Sequence, residues 1–211
     1  MTREGQLLKS LIEFSITTGL DELKEYLDTN EKFLQKMRGD LEACLNERAA
    51  LQTAEERAQF LESYSDVYGD YTDIFPNIFR NSFFVSALSV LEYELRQICR
   101  WFEREEHIPI SWNDLRPGVL FRAEKYLELA GLAVSYNDIR DEVKNYYEVR
   151  NCIVHNNGLI KEDCKNLITY TKKRGLLHKS DDELTIVLTK DFCEDAVKNL
   201  KAFLDSIYNA I

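Results

Sequence analysis

The residues best suited to chemistry in this sequence lie in one short segment that ends at His155. Arg150 is followed directly by Asn151, and the histidine comes five residues after the arginine. Histidine gains and loses a proton near neutral pH, and a guanidinium binds a phosphate through paired N–H donors. Such a pair can transfer a proton and stabilise a phosphate that gains charge, as phosphodiester cleavage in RNA requires. We therefore take Arg150 and His155 as the catalytic candidates.

The spacing of apolar residues places this segment at the end of a helix. One helical stripe, with steps of four and three residues, consists of Ile139, Val143, Tyr146, Arg150 and Ile153. A guanidinium within an apolar stripe is unfavourable unless it is paired or faces a wet cleft. Tyr147, Asn151 and His155 form a polar stripe beside it, so Tyr147 is a supporting candidate. The Asn-Asn-Gly sequence at 156–158 tolerates the left-handed conformation that ends a helix.

The geometry of an ideal helix separates Arg150 from His155. Five residues correspond to a rotation of about 140° and a rise of about 7.5 Å, so the two side chains do not share one face. The long arginine side chain can close part of that angle. A second copy of the helix can also complete the site, as in a two-fold dimer that places two identical patches opposite each other.

Composition excludes several other kinds of protein. The net charge of -10 argues against a general nucleic-acid coat. The N-terminus lacks the features of a signal peptide, and we see no apolar run of membrane-spanning length, so we expect a cytoplasmic protein without membrane contact. Five scattered cysteines indicate reduced thiols.

Phosphate-loop, dinucleotide-binding and zinc-protease motifs are absent, and three distant histidines do not suggest a metal site. We expect no metal and no cofactor.

The first 70 residues differ from the rest in charge. They carry 8 basic and 15 acidic side chains, whereas residues 71–211 carry 19 and 22. Breaks near Gly19, Gly39 and Gly69 predict helices over about 2–18, 21–39 and 40–68. The last has these residues facing inward: Leu41, Leu45, Ala54, Ala58, Leu61 and Tyr68. We interpret residues 1–70 as an acidic helical hairpin packed on a second domain, 71–211. A dimerising arm is the alternative.

The clearest helical pattern begins at Ile74 or Asn81 and ends at Glu106. Its apolar positions, which suit a bundle seam, are Phe84, Leu88, Leu91, Leu95, Ile98 and Phe102. A small, polar stripe lies beside them at Ser82, Ser86 and Ser89. Glu92 borders this stripe; it is either solvated or a partner for Arg150.

The remaining sequence predicts three more helices and one hairpin. Helices are expected over 119–130, 161–171 and 191–211, a β-hairpin over 176–188, and a capping box at Ser135 and Asp138 before the motif helix. Lys172, Lys173 and Arg174 end the 161–171 helix. They either complement its dipole or steer a phosphate towards the site. The fold class is therefore all-α, with a small β-hairpin before the last helix.

Residues 150–155 resemble the R-x4-6-H motif of the HEPN superfamily, including the polar residue that follows the arginine. The helix end His-x-x-Gly and the earlier Ser/Glu pattern of 84–92 are similar as well. The resemblance covers roughly residues 75–211. It implies an all-α, up-and-down bundle that dimerises through the motif helices.

For members that keep the motif, the resemblance implies metal-independent endoribonuclease activity that leaves a 2′,3′-cyclic phosphate. Such members commonly serve as toxins or effectors in bacterial antiviral and toxin–antitoxin systems, so an antitoxin or another defence protein is an expected partner. When the roles of the motif residues are transferred to this sequence, the resemblance implies that Arg150 and His155 are catalytic. It implies that Asn151 orients this pair or the phosphate, and that Glu92 supports the site. Two alternatives are a non-catalytic HEPN-like module that binds nucleotide, RNA or protein, and a structural helical adaptor for a basic partner.

Overall fold

A computed structural model describes residues 3–105, 110–115, 118–134, 136, 139–180 and 183–211. Over these residues the chain is an all-α bundle with one small hairpin, as predicted. Its elements are α1 (Arg3–Ala50), α2 (Ala54–Ser63), α3 (Ser65–Gly69), a π-helix (Asp70–Ile74), α4 (Phe75–Glu105), a 3-10 turn (Trp112–Asp114), α5 (Val119–Leu129), α6 (Ile139–Asn156), α7 (Lys165–Lys173), β1 (Leu177–Ser180), β2 (Glu183–Ile186) and α8 (Lys190–Ala210). The predicted capping box at 135 and 138 lies outside the described residues.

Residues 3–50 form one long helix in place of the helices predicted over 2–18 and 21–39 and the start of the third, whose Leu45 is buried as predicted. α1 continues through both Gly19 and Gly39 for 48 residues. A glycine inside a helix costs only about 1 kcal/mol relative to alanine, and packing of α1 against α4 and α8 outweighs it. α1 and α4 run antiparallel. Gly19 of α1 lies against Val90 of α4, whereas Glu31, further along α1, pairs at 2.6 Å with Arg80, which comes earlier in α4.

The first break in the chain comes instead at Thr53. Its hydroxyl accepts from the Glu56 backbone N–H, and the Glu56 carboxylate accepts from the Thr53 N–H, which is a complete capping box. The predicted inward positions in the following segment were wrong, because α2 and α3 contain no buried residue. The predicted break at Gly69 was also wrong: Gly69 has helical backbone angles, and the chain passes through the π-helix directly into α4.

α4 is the central helix of the core. All six of its predicted core positions are buried: Phe84, Leu88, Leu91, Leu95, Ile98 and Phe102. Among the described helices, the continuous stretch Ser65–Arg104 is long and apolar enough, by length and composition, to cross a membrane. Core helices of soluble bundles have the same composition, and the apolar seam of this one is packed against its neighbours.

α6 and α8 complete the core around an aromatic cluster. Tyr146 of α6 makes edge-to-face contacts with Phe84 and with Phe192 of α8. Such contacts are more favourable than burial alone. The apolar stripe of α8, spaced at steps of three and four residues, is buried throughout: Phe192, Ala196, Leu200, Phe203 and Ile207. The buried residues of α6 are Val143, Tyr146, Val149 and Cys152. The predicted stripe is thus correct at Val143 and Tyr146, whereas Ile139 and Ile153 are only half-buried.

The hairpin lies next to the end of the motif helix. β1 and β2 pair antiparallel, with Leu177 opposite Ile186, and the turn at 181–182 lies outside the described residues. Gly158, just after α6, accepts a backbone hydrogen bond from Ile186 at 2.9 Å. The predicted hairpin is thus confirmed over its strands, and it supports the end of α6.

Candidate functional site

A cleft of about 790 Å³ opens between α4, α5 and α6. It is lined by Glu92 from α4, by residues 118–121 and Glu124 at the start of α5, and by seven residues of α6. The α6 residues are Arg140, Lys144, Asn145, Tyr147, Glu148, Arg150 and Asn151. Its volume is in the range of small-ligand sites. Four of the residues singled out in the sequence, Glu92, Tyr147, Arg150 and Asn151, therefore lie around one cavity.

Arg150 is partly buried in this cleft. Its Nη1 donates to Asn151 Oδ1 over 3.2 Å, while its Nε is buried with no hydrogen-bond partner. Within the described part of the chain, no carboxylate lies within 4.0 Å of the guanidinium, so the anticipated Glu92–Arg150 ion pair does not form. A desolvated, unpaired guanidinium N–H is unfavourable in a structural role, and it is a ready donor to an acceptor that enters the cleft.

Tyr147 has the same incomplete bonding. Its hydroxyl is buried, and no described group meets it at hydrogen-bonding distance and angle. Burial raises the pKa of this hydroxyl far above its ordinary value, and the Glu92 carboxylate lies close enough to raise it further. The phenol therefore keeps its proton at neutral pH. Arg150 Nε is thus a donor of the cleft without an acceptor, and the Tyr147 hydroxyl lies beside Glu92 without a hydrogen bond of good geometry.

The other two cations of the cleft are neutralised. Arg140 makes a two-point ion pair with Glu124, with Nη2 2.7 Å from Oε2, and Lys144 lies 3.4 Å from Asp141. The carboxylate raises the pKa of Arg140, so its charge is retained. Arg150 is therefore, among the described residues, the cleft cation without a carboxylate partner.

His155 lies outside the cleft, at the end of the same helix. Its side chain is exposed in the last turn of α6. The predicted stop is confirmed: Asn157 and Gly158 have positive φ angles of 52° and 80°, and the Gly158 N–H donates to Cys152 O at 3.1 Å. The end of the helix is thus well fixed, and it presents the imidazole to solvent away from Arg150.

The basic residues at the end of α7, Lys172, Lys173 and Arg174, are not among the residues that line the cleft. Lys172 and Lys173 are exposed in the last turn of α7. Arg174 Nη2 lies 3.0 Å from Asp195 Oδ2, and its Nε lies 3.7 Å from Glu142 Oε1. Its guanidinium also lies over the Phe192 ring, 5.5 Å from the centroid. Arg174 is thus held between α6 and α8 by carboxylates.

Sequence reasoning missed the α5 wall of the cleft. Val119, Leu120 and Phe121 follow Gly118 and line the cavity, and the Phe121 side chain is 49% exposed. The available signal was the amphipathic pattern of α5, whose buried residues are Ala123, Tyr126 and Leu127. Phe121 lies outside that buried face and lines the cleft instead.

Comparison with protein-family models found no matching model, and searches of curated proteins and of solved structures found no match. Within the described residues, no group of three or more His, Cys, Asp or Glu side chains is arranged to hold a metal ion. The arguments about function therefore depend on the residues of this chain.

Proposed function

We propose that this chain is a metal-independent endoribonuclease of HEPN type, with an active site completed by a second copy. The observation that supports it most is the state of Arg150, a partly buried guanidinium that lines a cleft with an unpartnered Nε and without a carboxylate. Such a group is kept at a cost in stability, which is typical of functional sites. A phosphate oxygen is the acceptor that a guanidinium binds best.

Asn151 has a place in this site as an orienting residue. Its Oδ1 accepts from Arg150 Nη1, which fixes the plane of the guanidinium next to the cleft. The remaining N–H groups then hold the scissile phosphate and stabilise the charge that develops in the transition state. Glu92 from α4, and Tyr147 one turn before Arg150 on α6, complete the polar lining.

His155 supplies proton transfer in the proposed reaction. An imidazole takes the proton from the 2′-hydroxyl, which attacks the adjacent phosphorus, and the bond to the 5′-oxygen breaks as that oxygen gains a proton. The products are a 2′,3′-cyclic phosphate and a free 5′-hydroxyl. Because His155 is exposed and lies outside the cleft of Arg150, one chain alone does not bring both groups to one phosphate.

A homodimer through α6 resolves this separation. The last turns of α6 present Asn151 and His155 together with Val154, whose side chain is 46% exposed. An isologous contact on this surface places the His155 of one copy towards the Arg150 of the other. By the resemblance to HEPN proteins, the dimer acts in the cytoplasm as a bacterial defence or toxin effector, under the control of an antitoxin or another defence protein.

The test is cleavage of a mixed RNA pool in excess chelator by the wild type, Arg150→Ala and His155→Ala. Lys36→Ala, at an exposed lysine of α1 outside the cleft, is the matched control for a lost positive charge. We expect cleavage by the wild type and the control, with 2′,3′-cyclic ends, and a loss of at least about 100-fold in each motif variant. RNA binding without cleavage by any form would replace this proposal with the non-catalytic module.

A further inference from the structure

The cleft has a second kind of surface, opposite its polar groups, that the proposed chemistry does not use. Val119, Leu120 and Phe121 form an apolar wall at the start of α5. Half of the Phe121 side chain is exposed, although it is large and apolar. An exposed aromatic ring next to a cavity is a stacking platform for a flat ring.

The charge of the cleft restricts the ligand further. Arg140 and Lys144 are paired with Glu124 and Asp141, which leaves Arg150 as the cation free of carboxylates among the described lining residues. The single unpaired cation of the described lining, Arg150, can bind one phosphate group of a ligand. Glu92 and Glu148 also line the cavity, and their carboxylates disfavour a ligand with several phosphates while accepting hydrogen bonds from base N–H groups.

The unpartnered donor of Arg150 points to a ligand rich in acceptors. Arg150 Nε is buried without a hydrogen-bond partner, and leaving such a donor unmet costs free energy. The buried Tyr147 hydroxyl faces the Glu92 carboxylate. A nucleotide carries phosphate, sugar and base oxygens and one stackable ring. The volume of about 790 Å³ is large enough for one such unit.

We propose that this cleft binds a single unpaired nucleotide of the RNA substrate, with its base stacked on Phe121 and its phosphate at Arg150. The inference depends on the proposed function in taking RNA as the substrate. It adds that the enzyme selects single-stranded positions, because a base within a duplex is stacked on its neighbours and cannot reach Phe121. Phe121 is then a specificity-determining residue, and it takes no part in proton transfer.

The first experiment measures binding of adenosine, uridine, cytidine and guanosine 5′-monophosphates by calorimetry, with ribose 5-phosphate as the ligand without a base. We expect binding of at least one nucleotide by the wild type and by His155→Ala. Phe121→Ala should weaken that binding about 10-fold, as expected for a lost stacking contact. Phe121→Leu should weaken it similarly, since it keeps the apolar wall but loses the ring. Phe33→Ala, which removes a 58% exposed ring on α1, is the matched control and should bind normally.

The second experiment measures RNA cleavage, so that the two proposals fail separately. For Phe121→Ala we expect a raised KM with an unchanged kcat, and loss of the preference for single-stranded sites. Nucleotide binding that depends on Phe121, without cleavage of any RNA, would support the cleft and reject the ribonuclease. Cleavage with equal KM in Phe121→Ala, or ribose 5-phosphate binding as tightly as the nucleotides, would reject the base-binding cleft and leave the ribonuclease standing.

Discussion

Tyr146 and Tyr147 are neighbours in α6, and their hydroxyl groups are in opposite bonding states. The Tyr146 hydroxyl accepts from Asn199 Nδ2 at 2.7 Å, whereas the Tyr147 hydroxyl is buried without a partner. Successive helical residues point about 100° apart, so one ring enters the core between α4 and α8 while the other lines the cleft. The contrast separates the structural face of the motif helix from its candidate functional face.

This contrast predicts different effects of the same substitution at adjacent positions. Tyr146→Phe leaves the half-buried Asn199 amide without its acceptor and should lower the free energy of unfolding by about 1 kcal/mol. Tyr147→Phe removes a hydroxyl that has no partner, so stability should stay within about 0.5 kcal/mol or rise. Urea denaturation of both variants at neutral pH measures the difference. An equal loss at both positions would show that Glu92 bonds Tyr147 in solution.

The proposed composite site predicts complementation between inactive chains. In a heterodimer of Arg150→Ala with His155→Ala, one of the two sites keeps an arginine from one chain and a histidine from the other. We expect about half of the wild-type cleavage from this heterodimer, purified through two different affinity tags. Each variant homodimer should be inactive. A site built within one chain predicts no activity from the mixed dimer, and that result would reject the shared site.

Substitution by alanine should have opposite effects on stability at Gly158 and at Gly39, because the two glycines have different backbone conformations. Gly158 has a φ of 80°, and an added Cβ would lie 3.4 Å from the Ile186 carbonyl oxygen, so Gly158→Ala should destabilise by about 1–2 kcal/mol. Gly39 lies within α1 with open space around it, so Gly39→Ala should stabilise by about 0.5–1 kcal/mol. Thermal denaturation of the two variants compares them directly. Destabilisation at position 39 would indicate that α1 bends or breaks there.

We expect the protein to lose stability at alkaline pH because the thiols of Cys99 and Cys193 are buried. Burial raises the pKa of Cys99 and of Cys193 to about 12, while a thiol in the unfolded chain ionises nearer 9. Above about pH 9 the unfolded state therefore binds fewer protons than the folded state, and the free energy of unfolding falls as pH rises. Below that pH the stabilisation is fully present.

The measurement is urea denaturation from pH 7.5 to 10.5 under reducing conditions. Cys99→Val and Cys193→Val should each reduce the slope of stability against pH, because each removes one titrating group. Cys44→Val, at an exposed thiol, should leave the slope unchanged. If all three variants kept the wild-type slope, the thiols would not be responsible for the pH dependence.

The sequence by itself determined the helices that carry a strong apolar period and the place where the motif helix ends. The buried seam of α4 and the inward face of α8 follow from side-chain spacing, since each helix must cover one apolar stripe. The stop after α6 follows from Asn157 and Gly158, which adopt positive φ angles at low cost. The residue pair Arg150 and Asn151 was also recognised locally, because adjacent side chains interact within one helix.

Only the tertiary structure decided that α1 continues through Gly19 and Gly39 and what surrounds Arg150, whereas the break at Thr53 has a local capping-box signal. Gly19 and Gly39 resemble helix breakers in the sequence, but packing against α4 and α8 exceeds the small local cost of a glycine. The missing ion pair to Glu92 and the Phe121 wall depend on how α4, α5 and α6 are placed around one cavity. Those distances join residues far apart in the chain, and no local pattern encodes them.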